Sequence, residues 1–173
     1  MASIVMTFAG LTSGYVVSRS ALLVDNRWLE FALPSAFYAA TAAIVLSSIS
    51  MMWAKASVKR GRQSTLVTAL AVTLVLGLVF LVLQIVGATD MINRGLYFTG
   101  ADSNTAVSWV YVIAALHWLH VVSGIIVLIV TLIRARKGAY TSNDHYGLDM
   151  SAIYWHFLDA LWIYLFLFLA FIR

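Results

Sequence analysis

Four ionisable side chains interrupt the long apolar stretches of this sequence, and they form two pairs of equal spacing. His117 and His120 are three residues apart, as are His156 and Asp159. On a helix that spacing puts both members of a pair on one face. Imidazole and carboxylate groups can bind a metal, hold a haem iron or pass a proton. In hydrocarbon they are costly and are normally received by other protein groups. Two further titratable residues, His145 and Asp149, lie just ahead of the second pair. A metal centre needs three or four converging ligands, and cysteine is absent, which removes thiolate ligands, iron–sulfur clusters, disulfides and cysteine nucleophiles together. There is no phosphate loop, nucleophile elbow or pair of catalytic carboxylates. The expectation is a chain with no catalytic, cofactor-binding or metal residue of its own.

The elements that would carry these residues follow from composition. Hydrophobic residues make up 62% of the chain and charged ones 10%, against roughly 25% charged in a soluble domain. So few charges cannot coat a soluble surface, and the chain divides into membrane spans of about 20 residues. Five apolar runs are expected to be helical, over about 2–18, 31–54, 66–89, 106–133 and 150–172. The reading is an all-α integral membrane bundle of five transmembrane helices, with residues 1–173 as a single transmembrane domain because no repeat, linker or low-complexity tract divides it. The net charge of +4 sits at helix ends, so it calls for no nucleic acid. Lysine and arginine concentrate in 55–62 and 134–137, and the positive-inside rule then places the N-terminus in the cytoplasm and the C-terminus outside.

Within that frame His117 and His120 fall near the middle of the fourth span, and His156 and Asp159 near the inner end of the fifth. A b-type haem clamped between neighbouring helices is one reading of the histidines. It meets a mismatch in depth: His120 is expected about 20 Å from the inner end of its span and His156 about 9 Å from the end of its own. The plainer reading is hydrogen bonding across helix interfaces or to lipid headgroups. His145, Asp149, His156 and Asp159 are expected to form one polar cluster if the fifth helix starts early. Gly10 and Gly14 make a GxxxG that permits close helix approach. Trp28, Trp53, Tyr97, Trp109, Tyr154 and Trp155 fall where aromatic rings anchor at membrane interfaces.

Three motifs in the second half resemble subunit III of the haem–copper respiratory oxidases. Leu116-His117-Trp118-Leu119-His120-Val121, followed by Gly124, is similar to the family's F-H-G-L-H-V-x-x-G. Thr141-Ser142-Asn143 with His145-Tyr146-Gly147-Leu148-Asp149 is similar to T-S-N-x-H-F-G-F-E, with aspartate for glutamate. Tyr154-Trp155-His156-Phe157-Leu158-Asp159-Ala160-Leu161-Trp162 follows Y-W-H-F-V-D-x-x-W almost residue for residue. Less closely, Gly14 to Arg19 and Leu76 to Gln84 resemble the family's earlier helices. Five spans suit its short bacterial form, which lacks the first two helices of the seven-span version.

The resemblance implies an accessory subunit of an aerobic terminal oxidase in a bacterial inner membrane. Haem and copper would lie in partner subunits, with subunit I as main contact, subunit II nearby, room for a larger respiratory supercomplex, and phospholipid bound in a cleft. It implies structural or lipid-contacting roles for His117, His120, His145, Asp149, Trp155, His156 and Asp159. The electron donor, cytochrome c or quinol, is left open. Two departures stand out: Ile4 and Gly87 replace the membrane carboxylates of the family pattern, so proton handling that depends on those groups does not carry over.

Overall fold

The computed structural model describes residues 1–24, 27–100 and 103–172. It contains five helices, α1 (Ala2–Val24), α2 (Ser35–Lys59), α3 (Gln63–Asn93), α4 (Thr105–Arg136) and α5 (Tyr146–Phe171). Among the described residues, α2 to α5 are each long and apolar enough to cross a membrane. In α1 the residues Thr7, Thr12, Ser13, Ser18 and Arg19 dilute the apolar run, so it has the length but less of the hydropathy. Its 23 residues would reach about 35 Å.

Local chemistry fixes the ends. Pro34 precedes the first residue of α2, where a missing N–H breaks no helical bond. Asn104 caps α4 by accepting from the Ala106 backbone N–H at 2.9 Å. Three helices stop in the same way. The amides of Gly61, Gly95 and Gly138 donate to the carbonyls of Val58, Ile92 and Ala135, and those of Arg62, Leu96 and Ala139 reach back to Ser57, Met91 and Arg134. All three glycines have φ between 66° and 76°. This is the Schellman termination, which glycine alone enters without steric cost.

Helices α2, α3, α4 and α5 form a closed ring in which each touches the next and α5 returns to α2. Successive members run antiparallel. Ser50 Oγ donates to the Ala69 carbonyl across α2 and α3. Along α3 and α4, the Gln63 amide reaches the Ala135 carbonyl at one end, and the Tyr111 hydroxyl bonds the Ala88 and Leu96 carbonyls at the other. The basic segments 55–62 and 134–137 therefore share one end of the ring. Helix α1 lies outside it, against α4, and reaches α5 through Thr12 on Tyr164 and Tyr15 on Phe168.

The middle of the ring is sealed by one indole. Trp155 is 1% exposed and lies between two glycines on different helices. A Cβ at Gly77 of α3 would stand 2.8 Å from its Cη2, and one at Gly124 of α4 would stand 3.1 Å from its Cζ3. The two glycines are the space the ring occupies. The interface position expected for Trp155 is thus replaced by a core one, because a ring with a hydrogen-bonded N–H can be buried far from headgroups. Trp28 is buried as well, whereas Trp53 and Tyr97 are about half exposed. Of the GxxxG pair, Gly14 is used, its Cα facing Trp109 of α4 closely enough that a Cβ would meet the ring at 2.8 Å, while Gly10 faces open space.

Candidate functional site: the polar seam along α5

One face of α5 is bonded to α2 at three levels. Trp155 Nε1 donates to Ser47 Oγ at 2.9 Å, His156 Nδ1 lies 2.7 Å from Ser48 Oγ, and Trp162 Nε1 donates to Thr41 Oγ1 at 3.0 Å. Another face meets α4 through hydroxyl pairs at 2.6 Å, Tyr154 with Ser123 and Ser151 with Thr131. At the basic end Lys55 Nζ is 2.9 Å from Asp149 Oδ1, and His145 Nε2 is 3.6 Å from Asp149 Oδ2. The bonds from α5 to Ser47, Ser48 and Thr41 of α2 and to Ser123 and Thr131 of α4 join helices within the apolar spans, so each one also fixes register.

The expected cluster of His145, Asp149, His156 and Asp159 is therefore drawn out along the seam. Helix α5 starts at Tyr146 with His145 as its cap residue. This joins His145 to Asp149 but leaves Asp159 ten residues, or about 15 Å, further along. His156 sits between, on Ser48. Asp159 is 3% exposed and neither carboxyl oxygen has a hydrogen-bond partner. Ser48 is its hydroxyl neighbour, and the same hydroxyl lies within hydrogen-bond distance of His156 Nδ1.

The other pair separates too. His117 is buried among the rings of Phe8, Phe80 and Trp162, with centroids 5.2–6.2 Å away, and neither ring nitrogen is paired. His120 donates Nδ1–H to the Leu116 carbonyl of its own helix at 2.7 Å and packs edge-on against Phe8. Phe8 of α1 thus stands against both imidazoles, and His156 is turned to α2. His117 is thus enclosed by rings, His120 is turned back onto its own helix and His156 faces Ser48 of α2. Among the described residues no three His, Asp or Glu side chains come together to hold a metal ion.

The sequence of α5 pointed to this seam, but its partners on α2 did not stand out. Thr41, Ser48 and Lys55 repeat at seven-residue intervals, facing Trp162, His156 and Asp149 in antiparallel order. A heptad spacing of small hydroxyl residues ending in a lysine is a readable signal of a helix interface.

Comparison with known proteins adds the decisive observation. The sequence family described as cytochrome c oxidase subunit III matches residues 32–172, from just before α2 to the end of α5. The chain belongs to the cytochrome c oxidase subunit III family. Cytochrome c oxidase subunit 3 of Latimeria chalumnae is 37% identical over 126 residues, covering 73% of this chain and 46% of the relative. That of Pelomedusa subrufa is 36% identical over 127 residues, with the same coverage. The probable subunit 3 of Rickettsia felis is 36% identical over 130 residues, 74% of this chain and 45% of the relative. The chain spans about half the length of the curated relatives it matches.

Membership gives the departures from the subunit III pattern a structural setting. At Gly87, where that pattern places a carboxylate, a Cβ would meet Phe37 Cε1 at 2.5 Å and Cδ1 at 2.9 Å. The Phe37 ring of α2 therefore occupies the volume of the missing side chain. Ile4 packs as a partly buried member of the apolar core. A carboxylate at either position would be set against hydrocarbon, which would raise the cost of burying these helices.

Proposed function

We propose that this chain acts as the accessory subunit III of an aerobic haem–copper terminal oxidase, binding no redox centre itself. In this reading it packs against subunit I, with subunit II nearby, and carries phospholipid on its surface. It would stabilise the complex while dioxygen is reduced and protons are pumped, within a bacterial inner membrane. The observation that carries the proposal is the use made of the motif Tyr154–Trp162. Trp155, His156 and Trp162 are bonded to α2 and Tyr154 to α4, so the most family-like segment is committed to holding the bundle together. Clustering of the segments 55–62 and 134–137 at one end supports assigning that end to the cytoplasm, with the N-terminus inside and the C-terminus outside.

The test is gentle purification of the membrane complex, mass spectrometry of its chains, and a reduced-minus-oxidised spectrum of this subunit after isolation. Co-purification with a haem–copper subunit I, and no haem band in the isolated chain, is the expected result. A stoichiometric b-type signal in the isolated chain would overturn it in favour of a cytochrome that carries electrons itself.

A further inference from the structure

At the basic end of the bundle a groove runs between α2 and α5. Met52, Lys55, Ala56 and Lys59 recur at three- and four-residue steps, so they share one face of the last turns of α2. His156 of α5 forms the other wall, and the space between measures about 340 Å³. Ala56 is the short side chain that leaves room there. Met52 and Lys59 are exposed, so the groove faces outward.

Its polar groups are open and only partly matched. Among the described residues no carboxylate lies within ion-pair distance of Lys59, while Lys55 shares Asp149 with His145. Two lysines against one carboxylate leave the mouth net positive. His156 Nδ1 lies 2.7 Å from Ser48 Oγ. Its Nε2 has no partner among the described residues and, unlike the nitrogens of His117, is not sealed from the surface. With Ser48 donating to Nδ1, the ring proton sits on Nε2 and is available as a donor. Because α5 begins at the basic end, its Cα–Cβ bonds tilt back toward that end, which brings the imidazole toward the lysines.

We infer that this groove binds the head of an anionic phospholipid, with the phosphodiester between Lys55 and Lys59 and an ester carbonyl accepting from His156 Nε2. The order of groups along the groove matches their order along the lipid. Lys55 follows the last residue of the apolar run of α2, Ala54, and so stands at headgroup level. His156 lies seven residues, or about 10 Å, beyond Asp149 along α5, on the side where ester carbonyls sit beneath the phosphate. Met52, Ile49 and Val45, all exposed, continue the same face of α2 inward as a surface for an acyl chain. Basic pockets between helices are a recurring means of holding such heads. Charge selects among lipids. Phosphatidylglycerol brings one negative charge, whereas a zwitterionic head would also bring a cation beside two lysines. A free phosphate would leave the imidazole donor and the apolar face unused. The inference deepens the lipid-carrying part of the function proposed above, and it rests on the chain lying in a bilayer.

The probe is dioleoylphosphatidylglycerol, added with an equal amount of dioleoylphosphatidylcholine to the full chain in detergent micelles, and bound lipid is counted by native mass spectrometry. The expected result is one retained phosphatidylglycerol per chain. Lys59→Gln removes an unpaired charge and should weaken that binding about fivefold. Lys137→Gln removes the same charge at the same end, but at the close of α4, which lies across the ring from α2, and should leave binding unchanged. Ala56→Leu keeps every charge and fills the groove, and it should abolish the preference for phosphatidylglycerol. An ether-linked phosphatidylglycerol has no ester carbonyl and should bind the wild type about fivefold more weakly, a difference that His156→Phe erases. Far-ultraviolet circular dichroism on each variant confirms that the helices are intact. Equal weakening by Lys59→Gln and Lys137→Gln would overturn the proposal, since it would reveal diffuse attraction to a basic surface. So would equal retention of the two diacyl lipids, equal binding of ester and ether forms, or displacement by inorganic phosphate at the same concentration, which would assign the site to a free anion. A failure of the oxidase reading would leave these counts unchanged, and a failure here would leave co-purification with a haem–copper subunit I untouched, so the two proposals can fail separately.

Discussion

Replacing Trp155 by phenylalanine, alone and together with Gly77→Ala, tests whether the centre of the bundle is as closely interlocked as the distances require. Complete truncation of a buried tryptophan costs about 3–5 kcal/mol, and retaining a phenyl ring reduces that to roughly 1–2 kcal/mol. The lost bond to Ser47 adds about 0.6 kcal/mol, the mean for interhelical bonds in membranes, so Trp155→Phe should cost about 2 kcal/mol. Gly77→Ala puts a methyl 2.8 Å from Trp155 Cη2 and 2.8 Å from Ile125 Cδ1. The aliphatic end can move aside, but the indole is pinned by Ser47 and Gly124, and overpacking of this kind costs about 1–3 kcal/mol. In the double variant the atoms that clash with the new methyl are gone, and the methyl refills part of the space they leave. Independent losses would reach about 4 kcal/mol, whereas the interlocked packing predicts about 2 kcal/mol and hence a coupling well above the 0.3–0.5 kcal/mol scatter of additive pairs. The assay is unfolding of the purified chain in mixed micelles of rising dodecyl sulfate fraction, followed by circular dichroism. Additivity within that scatter would refute the claim that Gly77 is there to admit the indole.

Three further outcomes follow from other parts of the bundle. Gly87→Glu should fail to give a folded chain in the background of Phe37 but be tolerated with Phe37→Ala, as measured by the monodisperse fraction in size-exclusion chromatography; equal yields would mean that Phe37 does not occupy the site. Lys55→Met should cost at most about 1 kcal/mol and lose its effect in high salt, because Lys55 and Asp149 are both about one-third exposed and such pairs are weak and screened; a larger loss in the same unfolding assay would indicate a wider network. Asp159→Leu should stabilise the isolated chain by roughly 1–3 kcal/mol, since both oxygens it removes are buried and unbonded; a loss of that size would show that the carboxyl has a partner.

The helices were legible because hydrocarbon dictates both their length and their composition. Their ends were less so. The apolar run stops at Thr89, but α3 continues to Asn93, and the run beginning at Met150 is preceded by a turn of α5 from Tyr146. Hydropathy marks the limit of the hydrocarbon, whereas a helix continues until a cap or a left-handed glycine stops it. Lys59, Arg134 and Arg136 extend their helices for a further reason, since cations are favoured in the last turn. At the candidate site the spacing correctly put His145 beside Asp149, but spacing on one helix cannot say which neighbour each side chain meets. His156 and Asp159 are three residues apart, yet one is bonded to Ser48 and the other is not bonded. Trp155 shows the same limit: its core position depends on Gly77 and Gly124, two residues on two other helices.

The position of α1 outside the ring has a consequence for biogenesis. Helices α2 and α3 can pair as soon as both have left the ribosome, because three residues join them. Helix α1 docks on α4, whose first residue comes about 80 residues after α1 ends, roughly 4–16 s later at usual synthesis rates, and on α5, which follows later still. During that interval Tyr15 can meet Trp28, whereas Phe8 and Gly14 have only lipid, or an insertion chaperone, to cover them. Assembly of this protein is thus two events separated in time, a hairpin that forms locally and a returning helix that must wait for its dock.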